Sequence, residues 1–147
     1  MLFDAEELVF DERHEYFLGS RHFAQTYRVQ PPAYRYTAGV LLDMVGDAQL
    51  FIRKEPFSGR YARPVIDDVW AAAVRIGVRE FGMQYGQEVR DDHLPLNEIA
   101  RIPTIDVIDF DYQFWHTESD RPDKCSAVSL EKVGKTMYEW LHTVVNR

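Results

Sequence analysis

Ile102-Pro103-Thr104-Ile105-Asp106-Val107-Ile108-Asp109-Phe110 is the stretch whose reading decides the fold. Its β-branched residues suit a strand buried in a sheet rather than a helix. Polar chemistry brackets that strand. Asp91-Asp92-His93-Leu94-Pro95-Leu96 stands before it, and Asp111-Tyr112-Gln113-Phe114-Trp115-His116-Thr117 follows it. In open α/β sheets ligands bind in the crevice beyond the carboxyl ends of the strands, which is where Asp111 to His116 would lie.

Working outward, Tyr34 to Asp43 reads as a second apolar strand that stops at an acid. Gly46-Asp47 is a turn, and Leu50-Phe51-Ile52 is short enough to be an edge strand before the polar run Arg53 to Ser58. From Arg63 to Val78, residues Val65, Val69, Trp70, Ala73 and Ile76 recur at helical spacing, with Asp67 and Asp68 expected in the early turns where the helix dipole favours negative charge. This predicts an amphipathic helix covering the sheet. Phe81 to Val89 is ambiguous, with a strand leading into Asp91 as one reading. Ser126 to Val145 places Val133, Met137, Trp140, Leu141 and Val144 on one core stripe, capped by Ser126. Near the N-terminus, Ser20 is a candidate cap for a helix through Arg21 to Gln25, with His14 and His22 as surface or packing residues.

Several polar groups allow two readings. Glu6 and Glu7 are either a solvated acidic terminus or, if the chain leaves the strand between them, two groups serving one site. Asp91 and Asp92 suit the cap of a short helix over Pro95 to Ala100 as well as a site. Phe110, Tyr112, Phe114 and Trp115 suit a core, a dimer surface or a substrate pocket.

Length and composition narrow the classes. The 147 residues, 46% hydrophobic and 28% charged, are enough for one folded domain without a disulfide or structural metal. With 24 acids against 17 scattered bases and a net charge of -7, there is no basic footprint for nucleic acid. Cys125 alone excludes an internal disulfide framework. No apolar run is long enough for a membrane span, and the first residues lack the order of a signal peptide. That leaves the compartment open, since a longer parent could be exported.

Six short motifs in one order carry a resemblance. Phe3-Asp4-Ala5-Glu6-Glu7 resembles F-D-G-E-E, Leu18-Gly19-Ser20-Arg21-His22 resembles Y-G-S-R-H, and Leu41-Leu42-Asp43-Met44-Val45-Gly46 resembles L-L-D-L-I-G. Asp91-Asp92-His93-Leu94-Pro95 resembles D-D-H-I-P, Ile102-Pro103 resembles V-P, and Trp115-His116-Thr117 resembles W-H-T. Together they resemble the C-terminal half of a zinc-dependent exopeptidase-type domain, most closely that of the glutaminyl-peptide cyclotransferases. The resemblance implies an α/β fold over residues 1–147, with a mixed, mostly parallel sheet flanked by helices and the N-terminal strands missing.

It also implies roles. Glu6 would be the general acid/base, Glu7 and His116 ligands of a zinc cofactor, and Asp43 and Asp91 active-site carboxylates. Trp115, Phe114, Tyr112 and His93 would bind the substrate, the N-terminus of a peptide. Zinc would polarise the γ-amide of an N-terminal glutamine while Glu6 moves a proton from the attacking amine towards departing ammonia. The runner-up is a zinc aminopeptidase, in which Asp43 would ligate a second metal. Paired aspartates before His93 and tryptophan before His116 count against it. Two ligands are fewer than the three a catalytic zinc takes from protein. This suggests a chain completed by a missing N-terminal half, by a partner or homo-oligomer, or else a noncatalytic remnant.

Overall fold

The computed structural model describes residues 1–7 and 16–146, so the expectation for His14 lies outside the described residues. Helices α1 (Leu18–Val29), α2 (Pro56–Arg75), α3 (His93–Glu98) and α4 (Ala127–Val145) flank four short strands. These are β1 (Gly39–Asp43), β2 (Ile52–Lys54), β3 (Phe81–Tyr85) and β4 (Thr104–Ile108), and a 3-10 turn spans Pro122–Lys124. The strands pair in parallel, β1 with β4 from Gly39 opposite Thr104 to Asp43 opposite Ile108, and β2 with β3. β2 also touches β4, so the two pairs lie side by side. The fold is thus the expected mixed α/β class with a parallel sheet.

The run that decided the fold is fully buried as β4. Side chains on both of its faces are covered, the pattern of a parallel strand between helical layers. Ile105 and Val107 join Ile52, Ile66, Val69, Trp70 and Phe81 in one core, which Val133 and Trp140 of α4 close from outside. Trp70 contributes volume and a bond as well, its Nε1–H donating to Gly82 O at 2.7 Å.

Several boundaries differ from the sequence expectation, each for a local reason. The strand expected from Tyr34 begins only at Gly39, because Tyr36 turns to pack against Tyr27 and Phe23 of α1 and Tyr34 sits edge-on to Tyr36. The edge strand expected at Leu50–Ile52 sits two residues later, and Ile52 is fully buried. α1 begins before Ser20, which lies in its buried first turn and donates to Phe17 O instead of capping. α2 begins at Pro56, within the polar run Arg53 to Ser58, since Glu55 caps it by accepting from Phe57 N and Ser58 N, and Pro56 suits a first helical position.

That earlier start leaves Asp67 and Asp68 mid-helix, where Asp67 pairs with Arg63 one turn back. Ala62 departs from helical angles just before Pro64, whose ring has no N–H to give the preceding turn. The helix expected over Pro95 to Ala100 runs His93–Glu98, and no side-chain bond from Asp92 caps it. Ser126 does cap α4, but Leu141 is half-exposed, one residue round from the buried Trp140.

Asn97 ties α3 to β4. Its amide donates to Thr104 O at 2.7 Å and His93 O at 2.9 Å, and its Oδ1 accepts from Thr104 N at 2.9 Å. Removing it leaves buried backbone groups without partners, each costing about 1–3 kcal/mol. Asn97→Ala should therefore lower unfolding free energy by roughly 2–4 kcal/mol in urea titrations. A loss below about 1 kcal/mol would show that this amide is not what fixes α3.

Candidate functional site

The turn carrying Glu6 and Glu7 is held by the start of α1. A helix leaves its first N–H groups without intrahelical partners. Here Phe17 N, Leu18 N and Gly19 N donate to the carbonyls of Glu6, Ala5 and Asp4 at 2.8, 3.1 and 3.0 Å. The approach demands glycine at 19, where a Cβ would stand 2.4 Å from Asp4 O. Ala5 has φ 57°, a left-handed conformation that costs an L-residue about 1–2 kcal/mol and that glycine adopts freely. The resembled motif carries glycine there. Left-handed residues recur beside the other polar groups, at Met44 (φ 51°) after Asp43 and at His116 itself (φ 56°). Such strain gathers where a site dictates the backbone.

Glu6, Asp43, Asp91 and Asp92 line one cleft of about 600 Å³ along β1, together with the apolar Phe3, Phe23, Leu96 and Ile102. Three distant segments supply these acids: the N-terminal turn, the carboxyl end of β1, and the turn into α3. Burial pushes Asp91 up to about 7; a bond from Asp92 N opposes this, and the charges of Asp43 and Glu6 add to it. Burial likewise raises Asp43, Glu6 and Asp92. Neighbouring carboxylates taken from water cannot all ionise, so the cluster holds protons at pH values where free acids have lost them.

Glu7 and His116 face each other beyond this cluster, with His116 Nε2 3.2 Å from Glu7 Oε1 and both side chains about half-exposed. The separation is near the roughly 3.4 Å that two donors about 2.1 Å from one tetrahedral zinc would show. The pair therefore fits two corners of a zinc shell. No group of three potential ligands exists among the described residues, so these residues do not form a zinc site by themselves.

Trp115 stacks on His116 with ring centroids 4.2 Å apart, but neither it nor Phe114 nor Tyr112 lines the carboxylate cleft. Tyr112 donates to Asp120 at 2.7 Å, and Phe114 lies under Lys124. His93, expected to meet substrate, is fully buried beneath the Asp91-Asp92 turn and has no surface to offer a ligand. Its position at the start of α3 points the ring inward, between Glu55 and Asp106.

Those two acids, with Ser58, were absent from the sequence-based candidates. Glu55 Oε2 accepts from Ser58 N and Ser58 Oγ at 2.6 and 2.7 Å, and Ser58 Oγ in turn accepts from Asp106 N at 2.9 Å. Burial works to raise Glu55, yet its bonds from His93, Ser58 and Phe57 outweigh that and hold it low. Asp106 receives no such bonds and is driven well above the carboxylate range, chiefly by burial. Glu55-Pro56 followed by Ser58 was a legible helix start, and an acid inside a β-branched strand was a legible oddity.

The profile of peptidase family M28 matches residues 1–141. The solved glutaminyl cyclase of Fimbriiglobus ruber is 39% identical with TM-score 0.88, the match covering 95% of this chain and 50% of that one. A leucine aminopeptidase precursor from Bacteroides thetaiotaomicron is 34% identical with TM-score 0.84, over 94% and 50% of the two chains. A Zn-dependent exopeptidase from Parabacteroides distasonis is 32% identical with TM-score 0.83, over 94% and 51%. No curated protein matches. The chain belongs to peptidase family M28, and it spans about half the length of these solved relatives.

The raised carboxylates make stability depend on pH. Between 3.8 and about 7 the folded chain keeps the Asp91 proton while the unfolded chain has released it. The unfolded state then binds fewer protons, so stability falls as pH rises through that window. The Asp91 contribution amounts to at most about 4 kcal/mol. Urea titrations should show the wild type losing stability from pH 4 to pH 8, and Asp91→Asn losing distinctly less. Equal slopes in the two proteins would mean that Asp91 is not the group holding the proton.

Proposed function

We propose that this chain supplies the carboxylate half of a zinc-dependent glutaminyl-peptide cyclotransferase site, which converts an N-terminal glutamine to pyroglutamate with release of ammonia. The observation that carries the reading is the cluster of Glu6, Asp43 and Asp91 in one cleft with an acid held protonated to about 7. Cyclisation moves one proton from the attacking α-amine to the leaving ammonia and needs no added water. Glu6, partly buried and flanked by acids that raise it, suits carrying that proton near neutral pH. Asp43 and Asp91, each raised by burial, suit sharing and orienting it. The glutaminyl cyclase from Fimbriiglobus ruber supports the same reading.

The leucine aminopeptidase precursor supports a second reading, hydrolysis of an N-terminal residue, in which Asp43 would hold a metal. The paired Asp91-Asp92 before His93 and Trp115 before His116 favour the first. Glu7 and His116 would be this chain's share of a zinc shell, which two donors leave incomplete. The chemistry assigned to this chain is therefore that of its carboxylates.

Three outcomes are expected. Dialysed against buffer, the 147-residue chain should retain well under one zinc per molecule by elemental analysis, since two donors leave a site open. One tightly held zinc, lost in His116→Ala, would show that another residue completes the shell. Joined to the part of a relative that the match does not cover, such as the other half of the Fimbriiglobus ruber enzyme, the chain should release ammonia from glutaminyl peptides. Glu6→Gln should then keep zinc while turnover falls roughly a hundred- to ten-thousandfold. Hydrolysis of leucyl anilide without ammonia release would favour the aminopeptidase.

A further inference from the structure

We propose that Glu55, His93 and Asp106 act as a buried proton-sharing triad that positions the Asp91-Asp92 turn. The groups come from three elements, the cap of α2, the start of α3 and the middle of β4. His93 and Asp106 are fully buried and Glu55 is 2% exposed. His93 Nε2 lies 3.4 Å from Glu55 Oε2, and Nδ1 lies 3.8 Å from Asp106 Oδ2 on the opposite side. The two ring nitrogens and both Asp106 carboxyl oxygens have no closer hydrogen-bond partner among the described residues. Buried polar atoms find partners because leaving them bare is costly, so these contacts are where the protons must go.

A count of donors assigns the protons. Glu55 accepts from Phe57 N, Ser58 N, Ser58 Oγ and Val89 N, which marks it as the ionised member. An ionised carboxylate can only accept, so His93 presents an Nε2–H to it. Nδ1 is then an acceptor, and Asp106 must supply the second proton as a neutral acid. Asp106 suits that state: it is fully buried, no donor reaches its oxygens, and the ionised Glu55 lies across the ring from it. The resulting order is Glu55 carboxylate, imidazole, Asp106 acid.

The consequence lies one residue away. His93 follows Asp92 directly, so a ring lodged between the two acids sets the direction in which the turn enters α3. That turn is closed by Asp92 N on Asp91 Oδ1 at 2.5 Å and by Leu94 N on Asp91 O at 2.9 Å. His93 is thus a positioning residue for Asp91 and touches no substrate.

The test uses the 147-residue chain. In wild type at pH 7, nitrogen-15 spectra should show His93 protonated at Nε2 and bare at Nδ1. Asp106→Asn keeps a donor for Nδ1 and should leave amide exchange at Asp92 and Leu94 within about threefold of wild type. Asp106→Leu removes the donor and should speed exchange at those two amides by about tenfold or more, with the α2 core amide of Ala73 unaffected. Both ring nitrogens protonated, or Asn and Leu variants behaving alike, would overturn the triad. Should the Leu variant not fold, the wild-type spectrum and the Asn variant still decide.

Discussion

The buried carboxylate of Glu55 is the joint on which the rest of the structure depends. It caps α2 through Phe57 N and Ser58 N, grips Ser58 Oγ, and accepts Val89 N from the loop that leads to Asp91. Ser58 passes the connection to β4 by accepting from Asp106 N. One anion thereby joins the main helix, the central strand and the loop that carries the site. A carboxylate can be buried only when enough donors replace its water, and four supply that here.

With that joint in place, the fold gathers acids that are far apart in sequence. Asp43 stands at the carboxyl end of β1, opposite Ile108 of the parallel β4, and lines the same cleft as Asp91 and Asp92 from the turn before α3. α1 adds the third member by holding the Glu6-Glu7 turn on its own unsatisfied N–H groups. Concentrating carboxyl groups this way destabilises the folded chain as they ionise. The arrangement makes sense as chemistry, because a cluster that keeps a proton near neutral pH can hand it over. Among the described residues β1 pairs with β4 alone, leaving its other edge beside the cleft unpaired.

The parallel α/β core was legible in the residues because β4 is a run of β-branched side chains and α2 and α4 show helical spacing. Asp43, Asp91 and Glu6 were legible through their motifs, and the structure brings all three to one cleft. What escaped was contact across the sequence. His93 looked like a site residue because it belongs to the Asp91-Asp92-His93-Leu94-Pro95 motif, yet the side chain at the first position of α3 turns into the core. Glu55 and Ser58 sat in a short polar run, and their meaning beyond a helix start depends on β4 arriving beside them. The aromatic run Tyr112 to Trp115 shows the same limit, since hydrophobicity alone does not say which cleft a ring borders.

The interior sorts its acids into one firmly ionised group and a proton-holding cluster. Carbon-13 titration of the side-chain carboxyls in the 147-residue chain measures this directly. Glu55 should ionise below the usual 4.5 of a glutamate, while Asp91 keeps its proton to about 7. Both groups titrating near ordinary carboxylate values, or Asp91 ionising before Glu55, would contradict the account.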